Sequence, residues 1–383
     1  VNLIHNKDRW LWTRVIMETD FDIFIGDMPV KSPIAVACMA GITDGAYIRD
    51  VAEHIGLGVI GGYAIDPPTI QAARTLSNQG RKEFLPRNLV ENLKGQIELI
   101  RAGGVVPVIN LRASEAGSLV ALSQELGSSV IYEIDAHCRQ QPMIDAGCGE
   151  FLLHNPEKLI AYVQALKIAG VIVSVKIRAG VAADDVELSR RLWKAGADIL
   201  HIDLMDFDHG YLKKIRDASL IFIIANNGIT TFERAKDMFA HGADMVSLAR
   251  SSDPKTLSLL NSQVTQYTRE HGWYNVPKQL CRGGDIRSLA FCCMPVKPCP
   301  LLPVLKKLNV TPQEFVSMKM EAVAGTPLEQ GANTCFGSLA YCCKDTTPCM
   351  FRDSALRQAG INKPAYMDLK REVSKKLMNK IFK

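Results

Sequence analysis

Eight short apolar runs, separated by stretches with helical periodicity, constrain the fold of this chain more than any other feature of its sequence. The runs are rich in β-branched residues and bounded by Gly, Pro or Asn, which is typical of parallel strands buried on both faces. Eight β/α units over about 220 residues predict an α/β fold of the TIM (β/α)8 barrel type. The eight runs are Ile34–Met39, Gly58–Gly62, Val105–Leu111, Val130–Asp135, Val171–Ile177, Ile199–Asp203, Leu220–Ala225 and Asp244–Ala249.

The segments between the runs carry helix signals. Asn155 followed by Pro156 is a helix start, and Asp184–Ala195 and Thr230–Ala240 have apolar residues at helical spacing. A doubly wound sheet is the alternative, but no Gly-x-Gly-x-x-Gly follows the first run, which favours the barrel. Before the barrel, Phe21–Val30 has a hairpin-like pattern.

Polar side chains follow the ends of the predicted strands. In a TIM barrel these ends meet at one mouth, and buried charged groups that converge there indicate a ligand. The loops that contain Asn227–Gly228 and Ala249–Ser251 are where this fold commonly holds a phosphate, and Lys176 suits the anionic reduced ring of a flavin. The polar residues at strand ends are Asn110, Asp135, His137, Cys138, Lys176, Arg178, His201, Asp203, Asn226, Asn227 and Arg250.

A twelve-residue pattern that contains three cysteines occurs twice, fifty residues apart, at Ser288–Cys299 and Ser338–Cys349. One further cysteine precedes each copy, so each set has the four thiolates of a tetrahedral zinc site or of one iron–sulfur cluster. Clustered cysteines inside cells usually bind metal, which favours this interpretation over a disulfide frame or free thiols. The predicted metal ligands are Cys281, Cys292, Cys293, Cys299, Cys335, Cys342, Cys343 and Cys349.

Within each copy two cysteines are adjacent, and consecutive side chains diverge. The members of such a pair therefore bind different irons of one cluster or different repeats, and the pairing stays open. Between the copies, Thr311 and Glu314 form a capping box that predicts a helix to about Val323. The other cysteines of the barrel, Cys38 and Cys148, are interpreted as structural.

Charge is unevenly distributed along the 383 residues. Residues 278–383 contain 17 Lys/Arg and 8 Asp/Glu, so this part carries +9 and the rest −4. A basic cysteine domain beside an acidic body indicates an anionic partner: nucleic acid, an acidic protein, or an iron–sulfur core.

With no run of 18 apolar residues and no signal peptide, we expect no membrane association and a cytoplasmic location. The predicted segments are a lead-in 1–30, a barrel 31–275, a cysteine-rich metal-binding domain 276–360 and a basic C-terminal helix 361–383.

The N-terminal two thirds resemble the dihydrouridine synthase family of flavin-dependent TIM barrels. The resemblance implies FMN at the mouth, held by Met39, Ala40, Asn110 and Lys176 and, around the phosphate, by Asn227, Gly228, Ala249 and Arg250. It also implies catalytic roles for Cys138, as the acid that protonates the base, and for His201. The matching stretches are Ala37–Asp44, Tyr132–Cys138, Ser174–Gly180, His201, Ala225–Gly228 and Gly242–Arg250.

The chain departs from that family's pattern at three places. The family's Asn-x-Gly-Cys-Pro is replaced by Asp135-Ala-His-Cys-Arg139, and the Gly-Arg-Thr after the conserved histidine is replaced by Ile202-Asp-Leu204. Asn110 stands where a Gln is usual. The helical RNA-gripping domain of the family is replaced by the cysteine-rich part.

That remaining third resembles the methanogenesis marker protein 9 domain of methane-metabolising archaea, which has two copies of an aromatic-Cys-Cys pattern ending in Pro-Cys. Phe291–Cys299 and Tyr341–Cys349 fit this pattern. The leading hypothesis is therefore an FMN-dependent oxidoreductase with two 4Fe–4S clusters, linked to methane metabolism and served by a protein electron donor or another methanogenesis partner. Two zinc ions are the alternative to the clusters. The other hypotheses are a tRNA dihydrouridine synthase-type RNA-modifying enzyme, and a zinc-binding regulatory or accessory protein that docks on a methanogenesis enzyme.

Overall fold

The computed structural model describes residue 21, residues 23–25, 28–219 and 221–271, residues 306 and 308–326, and part of residues 361–380. Contacts divide the chain into two units, residues 23–264, and residues 1–22 together with 265–383. The eight cysteines of the duplicated pattern lie outside the described residues, so their metal-binding role stays a prediction.

The first unit is a closed barrel of eight parallel strands with helices around it, which confirms the predicted fold class. Each strand pairs with the next along the chain, and the last, β10, closes the barrel by pairing with β3. The short hairpin predicted ahead of the barrel is confirmed as well, with Ile23 opposite Val30. The strands are β1 Ile23–Ile25 and β2 Met28–Val30 in the hairpin, then β3 Ile34–Val36, β4 Leu57–Ala64, β5 Val106–Arg112, β6 Ile131–Ala136, β7 Ile172–Arg178, β8 Ile199–Asp203, β9 Phe222–Asn226 and β10 Met245–Leu248.

The helices begin where the sequence places capping residues. Asp184, for example, accepts hydrogen bonds from the backbone N–H groups of Val186 and Glu187, which satisfies the free donors of the first turn. The predicted helices after Asn155, Asp184 and Thr230 are all present. They are α1 Gly45–Asp50, α2 Pro67–Asn78, α3 Leu89–Ala102, α4 Ala116–Leu126, α5 Gln141–Asp145, α6 Phe151–His154, α7 Pro156–Ile168, α8 Asp185–Ala195, α9 His209–Ala218, α10 Phe232–Ala240 and α11 Pro254–His271.

Strand β3 is shorter than the apolar run that predicted it. The run extends to Met39, but the strand ends at Val36 because the chain then turns: the Met39 N–H donates to the Thr43 hydroxyl (2.9 Å), and the Thr43 N–H donates back to the Met39 carbonyl (3.0 Å). Met39 and Ala40 therefore lie in a partly exposed loop at the mouth of the barrel.

The second unit contains helix α12, Pro312–Val323. Its start confirms the predicted capping box, since the Thr311 hydroxyl accepts from the Glu314 N–H and the Glu314 carboxylate accepts from the Thr311 N–H. None of the helices in the described ranges is both long and apolar enough to span a membrane.

Candidate active site

A layer of polar side chains fills the barrel interior near the carboxyl ends of the strands. Glu133 on β6 is at its centre: Oε1 accepts from Asn110 Nδ2 (2.8 Å), and Oε2 accepts from the Ser174 hydroxyl (3.0 Å) and from His201 Nδ1 (2.8 Å). His201 Nε2 lies 2.8 Å from the Ser247 hydroxyl. We call these five buried residues the polar layer.

The hydrogen bonds of the polar layer determine the tautomer of His201. Burial lowers the pKa of His201, so the ring is neutral. The Glu133 carboxylate only accepts, and its pKa is lowered because His201, Lys176 and Asn110 outweigh the effect of burial. His201 Nδ1 therefore carries the proton and Nε2 accepts from Ser247, whose oxygen accepts in turn from Asn226 Nδ2 (2.7 Å). Both ring nitrogens of His201 are occupied within the barrel, and its catalytic role stays a prediction.

Lys176 lies on β7, two residues after Ser174 and nearer the mouth, and is 4% exposed. Burial alone would lower its pKa, but the carboxylates of Glu133, Asp135 and Asp203 act in the opposite direction and the net shift is upward, so the ammonium stays charged. Within the described residues its one hydrogen-bond partner is the Cys38 thiol, with Nζ and Sγ 3.7 Å apart. A buried ammonium has three donors, so most of its capacity is unused.

Cys38, which the sequence indicates is structural, lies beside the predicted flavin-binding lysine. The residue follows β3 directly and is partly exposed. Burial of the thiol raises the pKa of Cys38 to about 12, so the group is a neutral thiol beside the Lys176 ammonium. It does not neutralise that cation.

Strand β4 makes room for the side chains of β5. A Cβ atom on Gly62 would lie 2.7 Å from Asn110 Oδ1 and 2.8 Å from Arg112 Nε, which is too close for any side chain. Within the described part of the chain, Asn110 Oδ1 is buried and has no hydrogen-bond partner. An unsatisfied buried acceptor costs free energy, and a bound donor would remove that cost.

Arg112 at the end of β5 joins two carboxylates. Its Nε donates to Asp135 (2.9 Å) and its NH1 to Glu83 (2.7 Å), and all three side chains are at most 5% exposed. Asp135 also accepts from the backbone N–H groups of His137 and Cys138, both at 3.0 Å. These contacts fix the turn after β6 and pair the guanidinium with two carboxylates.

The same turn brings His137 to Asp203 at the end of β8. His137 Nε2 and Asp203 Oδ2 are 2.7 Å apart, and the two side chains are 25% and 13% exposed. Burial would raise the pKa of Asp203, but hydrogen bonds from His137 and from the Met205 N–H, with Arg178 nearby, lower it to about 2. A histidine and an ionised carboxylate thus meet at the mouth.

Cys138, the predicted catalytic acid, lies in an apolar cluster and is 6% exposed. Its cluster includes Leu76 and Met143, and the Glu150 N–H donates to the Cys138 carbonyl (2.9 Å). Burial raises the pKa of its thiol, with Arg112 opposing the shift. The thiol is therefore protonated and enclosed by protein, and its role as the acid stays a prediction.

The predicted phosphate site combines two loops. Asn227 and Gly228 both have left-handed backbones (φ +91° and +67°), and both are exposed, as is Arg250. Within the described residues, the backbone N–H groups of Asn227, Gly228 and Arg250 make no hydrogen bond, and the Arg250 guanidinium has no partner. Ala249 is partly exposed between them.

Sequence reasoning missed several members of the site. Glu133, Ser174 and Ser247 were not predicted, although Glu133 and Ser174 stand two residues before the predicted Asp135 and Lys176. Because side chains of a strand alternate between faces, that spacing places both on the interior face. Glu133 and Ser174 could have been found by counting back two residues from the predicted residue at the end of each strand, since such residues share a face.

No group of three or more His, Cys, Asp or Glu side chains in the described ranges is arranged to hold a metal ion. The free thiols of the barrel, at Cys38, Cys138 and Cys148, lie apart from the duplicated cysteine pattern in sequence.

Comparison with known proteins defines the class of this barrel. Residues 113–278 match the dihydrouridine synthase (Dus) family, so the chain carries a dihydrouridine synthase-like domain. The chain belongs to the same family as the uncharacterized protein MJ0115 of Methanocaldococcus jannaschii, to which it is 47% identical over 107 residues, 28% of this chain and 69% of that protein.

Two further relatives cover more of the chain at lower identity. The uncharacterized protein MJ0144 of the same organism is 29% identical over 239 residues, 57% of this chain and 88% of that protein. A probable tRNA-dihydrouridine synthase of Rickettsia bellii is 22% identical over 261 residues, 64% of this chain and 74% of that protein.

Similar solved structures include a FabK mutant from Thermotoga maritima, with a TM-score of 0.39, 17% identity, and coverage of 67% of this chain and 69% of that one. A morphinone reductase mutant in complex with tetrahydroNAD has a TM-score of 0.47, 12% identity, and coverage of 62% and 89%.

Proposed function

We propose that this protein is an FMN-dependent oxidoreductase with its cofactor at the barrel mouth. The observation that carries the proposal is the Lys176 ammonium, which is almost fully buried, charged, and bonded within the described residues to one neutral thiol. A buried cation with unused donors suits a ligand that accepts hydrogen bonds and becomes negative, as the reduced flavin ring does.

The surroundings of Lys176 fit the ring of such a cofactor. Asn110 Oδ1 is a buried acceptor without a partner in the described residues, and a flavin ring carries an imide N–H that could donate to it. Met39 and Ala40 form a partly exposed loop after β3, the strand that also leads to the Lys176 contact at Cys38.

The phosphate end fits the two loops after β9 and β10. Within the described residues, the backbone N–H groups of Asn227, Gly228 and Arg250 and the Arg250 guanidinium are unpaired, and these are the donors that a phosphate monoester needs. When bound, FMN would supply hydride and single-electron chemistry; the chain would bind it, orient it and hold the charge of Lys176 next to it.

The finer parts of the proposal concern redox partners. The two sets of four cysteines fit two 4Fe–4S clusters or two zinc ions. We favour the clusters because a cluster can relay electrons to the flavin, whereas zinc cannot. A link to methane metabolism is supported by the cysteine pattern and by relatives in Methanocaldococcus jannaschii. An electron-donor protein would then feed the clusters.

A tRNA-modifying activity is the second candidate, favoured by the dihydrouridine synthase-like domain at residues 113–278. We favour a small metabolite or protein acceptor instead, since the chain outside residues 278–383 carries −4 and is poorly suited to an RNA backbone. The dihydrouridine content of tRNA from cells that lack this gene decides between them. If that tRNA has lost one specific dihydrouridine, the protein is an RNA-modifying enzyme.

The cofactor proposal is tested with Lys176→Met, measured by fluorescence titration of the apoprotein with FMN. We expect the affinity for FMN to fall about tenfold or more, because the buried ammonium next to the ring is lost. A tenfold loss corresponds to about 1.4 kcal/mol of binding free energy. Lys94→Met on the exposed face of α3 is the matched control and should bind FMN like the wild type. Failure of the wild-type protein to bind FMN, or unchanged binding by Lys176→Met, would contradict the proposal.

A further inference from the structure

The contact between His137 and Asp203 joins two residues that are 66 positions apart in the chain. Both stand where the sequence departs from the pattern of the family it resembles, at the ends of β6 and β8 on either side of β7. The side chains remain 25% and 13% exposed, so a molecule at the mouth can reach them. We call this pair the mouth dyad.

The dyad is held in position from both sides. Asp203 Oδ1 accepts from the Met205 N–H (3.1 Å), so its second oxygen is directed at His137. Arg178 on the intervening strand donates from NH2 to the His137 carbonyl (3.3 Å), and its NH1 lies 3.0 Å from Met205 Sδ. Arg178 is itself paired with Glu150, its Nε lying 2.7 Å from the carboxylate.

One nitrogen of His137 remains available. Nε2 faces the Asp203 carboxylate, which accepts only, so Nε2 carries a proton. Nδ1 makes no hydrogen bond within the described ranges, and it can take up a proton and release it to a ligand. This is the arrangement in which a carboxylate orients an imidazole and stabilises its charged form.

The other proton donors near the mouth are less accessible. The Cys138 thiol lies in the apolar cluster with Leu76 and Met143, and the residue is 6% exposed. His201 is fully buried with both nitrogens bonded inside the polar layer. Of His137, Cys138 and His201, His137 alone combines a nitrogen unused within the described ranges, a carboxylate partner and partial exposure at the mouth.

We propose that the mouth dyad is the proton-delivering group of this barrel, with His137 as the acid and Asp203 as its positioning residue. The proposal rests on the proposed function, which supplies a hydride. A proton donor beside a hydride source suits an acceptor that takes up both on neighbouring atoms, such as a molecule with a carbon–carbon double bond conjugated to a carbonyl. Bound reduced FMN would supply the hydride, with its two electrons, to one carbon of the double bond, and the π electron pair would form the second C–H bond with the proton released by His137. His137 regains its proton from solvent.

The first test uses no substrate. In FMN-loaded protein with nitrogen-15-labelled histidine, a carboxylate-bound Nε2–H of His137 should give a low-field proton resonance. The signal should be absent from His137→Gln and Asp203→Asn and present in Asp206→Asn, an exposed aspartate three residues away. Persistence of the signal in Asp203→Asn would show that the dyad does not form and would overturn the proposal.

The second test compares two oxidants of the dithionite-reduced, FMN-loaded protein. Reduction of 2-cyclohexenone requires a proton, whereas ferricyanide takes electrons alone. General acids contribute about 100-fold or more, so we expect His137→Gln to slow cyclohexenone reduction about 100-fold, and Asp203→Asn about tenfold, with ferricyanide rates unchanged. His154→Gln, at an exposed helix end, should match the wild type, and Cys138→Ala is measured beside it to test the thiol as the alternative acid.

The outcomes separate the two proposals. Wild-type protein that binds no FMN, or that ferricyanide cannot oxidise, contradicts the proposed function itself. Oxidation by ferricyanide but neither by cyclohexenone nor by uridine in a tRNA transcript overturns the proton-delivering role alone. A slow Cys138→Ala variant beside a normal His137→Gln variant would assign the proton to the thiol instead.

Discussion

Two arginines at opposite ends of the barrel, Arg216 and Arg250, differ in how they are used. Before β9 and β10, at the amino ends of the strands, Arg216 donates to the Gly242 and Ile221 carbonyls (both 2.8 Å) and pairs with Asp244 (2.6 Å). At the carboxyl ends, Arg250 is exposed and has no partner in the described part of the chain. The first arginine holds strands together, and the second is free to bind an anion.

Lysine shows the same contrast. Lys167 donates to the Val171 carbonyl (3.0 Å) and to Asp198 (2.7 Å), which in turn accepts from the Val173 N–H. Lys176 has the Cys38 thiol alone among the described residues, despite being far more buried. Residue type therefore does not separate stabilising charges from functional ones in this barrel. Unused hydrogen-bonding capacity does, which agrees with the division of labour between the two ends of TIM barrels.

The largest expected effect is on stability at the amino end. Arg216→Met removes the partner of a buried carboxylate and leaves three backbone carbonyls without a donor. Breaking such a pair costs about 3–5 kcal/mol, so we expect the midpoint of urea unfolding to fall sharply. The folded fraction should still bind FMN with wild-type affinity. A variant as stable as the wild type would show that Arg216 does not stabilise the amino end of the barrel.

The opposite result is expected for Arg250→Met at the mouth. Since the Arg250 guanidinium has no partner in the part of the chain that the structure describes, the urea midpoint should stay at the wild-type value, while FMN affinity falls about tenfold, or about 1.4 kcal/mol, in titration of the apoprotein. Arg74→Met, on the exposed face of α2, is the control for loss of one surface charge. An unfolded Arg250→Met variant, or one with full affinity, would contradict the assignment of this loop to the phosphate.

The smallest expected effect is on the pH dependence of stability, to which Asp203 and Asp244 should contribute in opposite pH ranges. Burial raises the pKa of Asp244 to about 6 despite Arg216, whereas hydrogen bonds from His137 and Met205 outweigh burial and lower that of Asp203 to about 2. An unfolded aspartate titrates near pH 4, at about 3.9. The Asp244 contribution to stability is therefore complete below about pH 4 and is lost as the pH rises through about 6. The Asp203 contribution is present above about pH 4 and is lost as the pH falls towards about 2.

The measurement is the unfolding free energy of wild type minus that of each Asp→Asn variant, across pH 2–7 in urea. For Asp203→Asn the difference should grow between about pH 2 and 4; for Asp244→Asn it should shrink between about pH 4 and 6. The charged or titratable neighbours of Asp203 on the facing elements are His137, Arg178 and Lys176. Parallel curves for the two variants would show that both carboxylates serve the same structural purpose.

Several parts of the site followed from strand order and alternation. The predicted Asn110, Asp135, Lys176, His201 and Asp203 all line the barrel near its mouth, because residues at the carboxyl ends of parallel strands share one end of the molecule. The phosphate loops were predicted for the same reason. Which of these side chains would keep free donors was not predictable, since that depends on partners from other strands.

By itself, the sequence determined the number and order of the barrel strands and the positions of the main helices. Nearly continuous apolar runs bury both faces of a strand, and capping residues satisfy helix ends locally, so neither depends on distant contacts. Only the tertiary structure decided that Cys38 meets Lys176, 138 positions away, while Cys138 turns into an apolar cluster. It alone brought His137 to Asp203, because the stagger of neighbouring strands and the bend of each loop set such contacts.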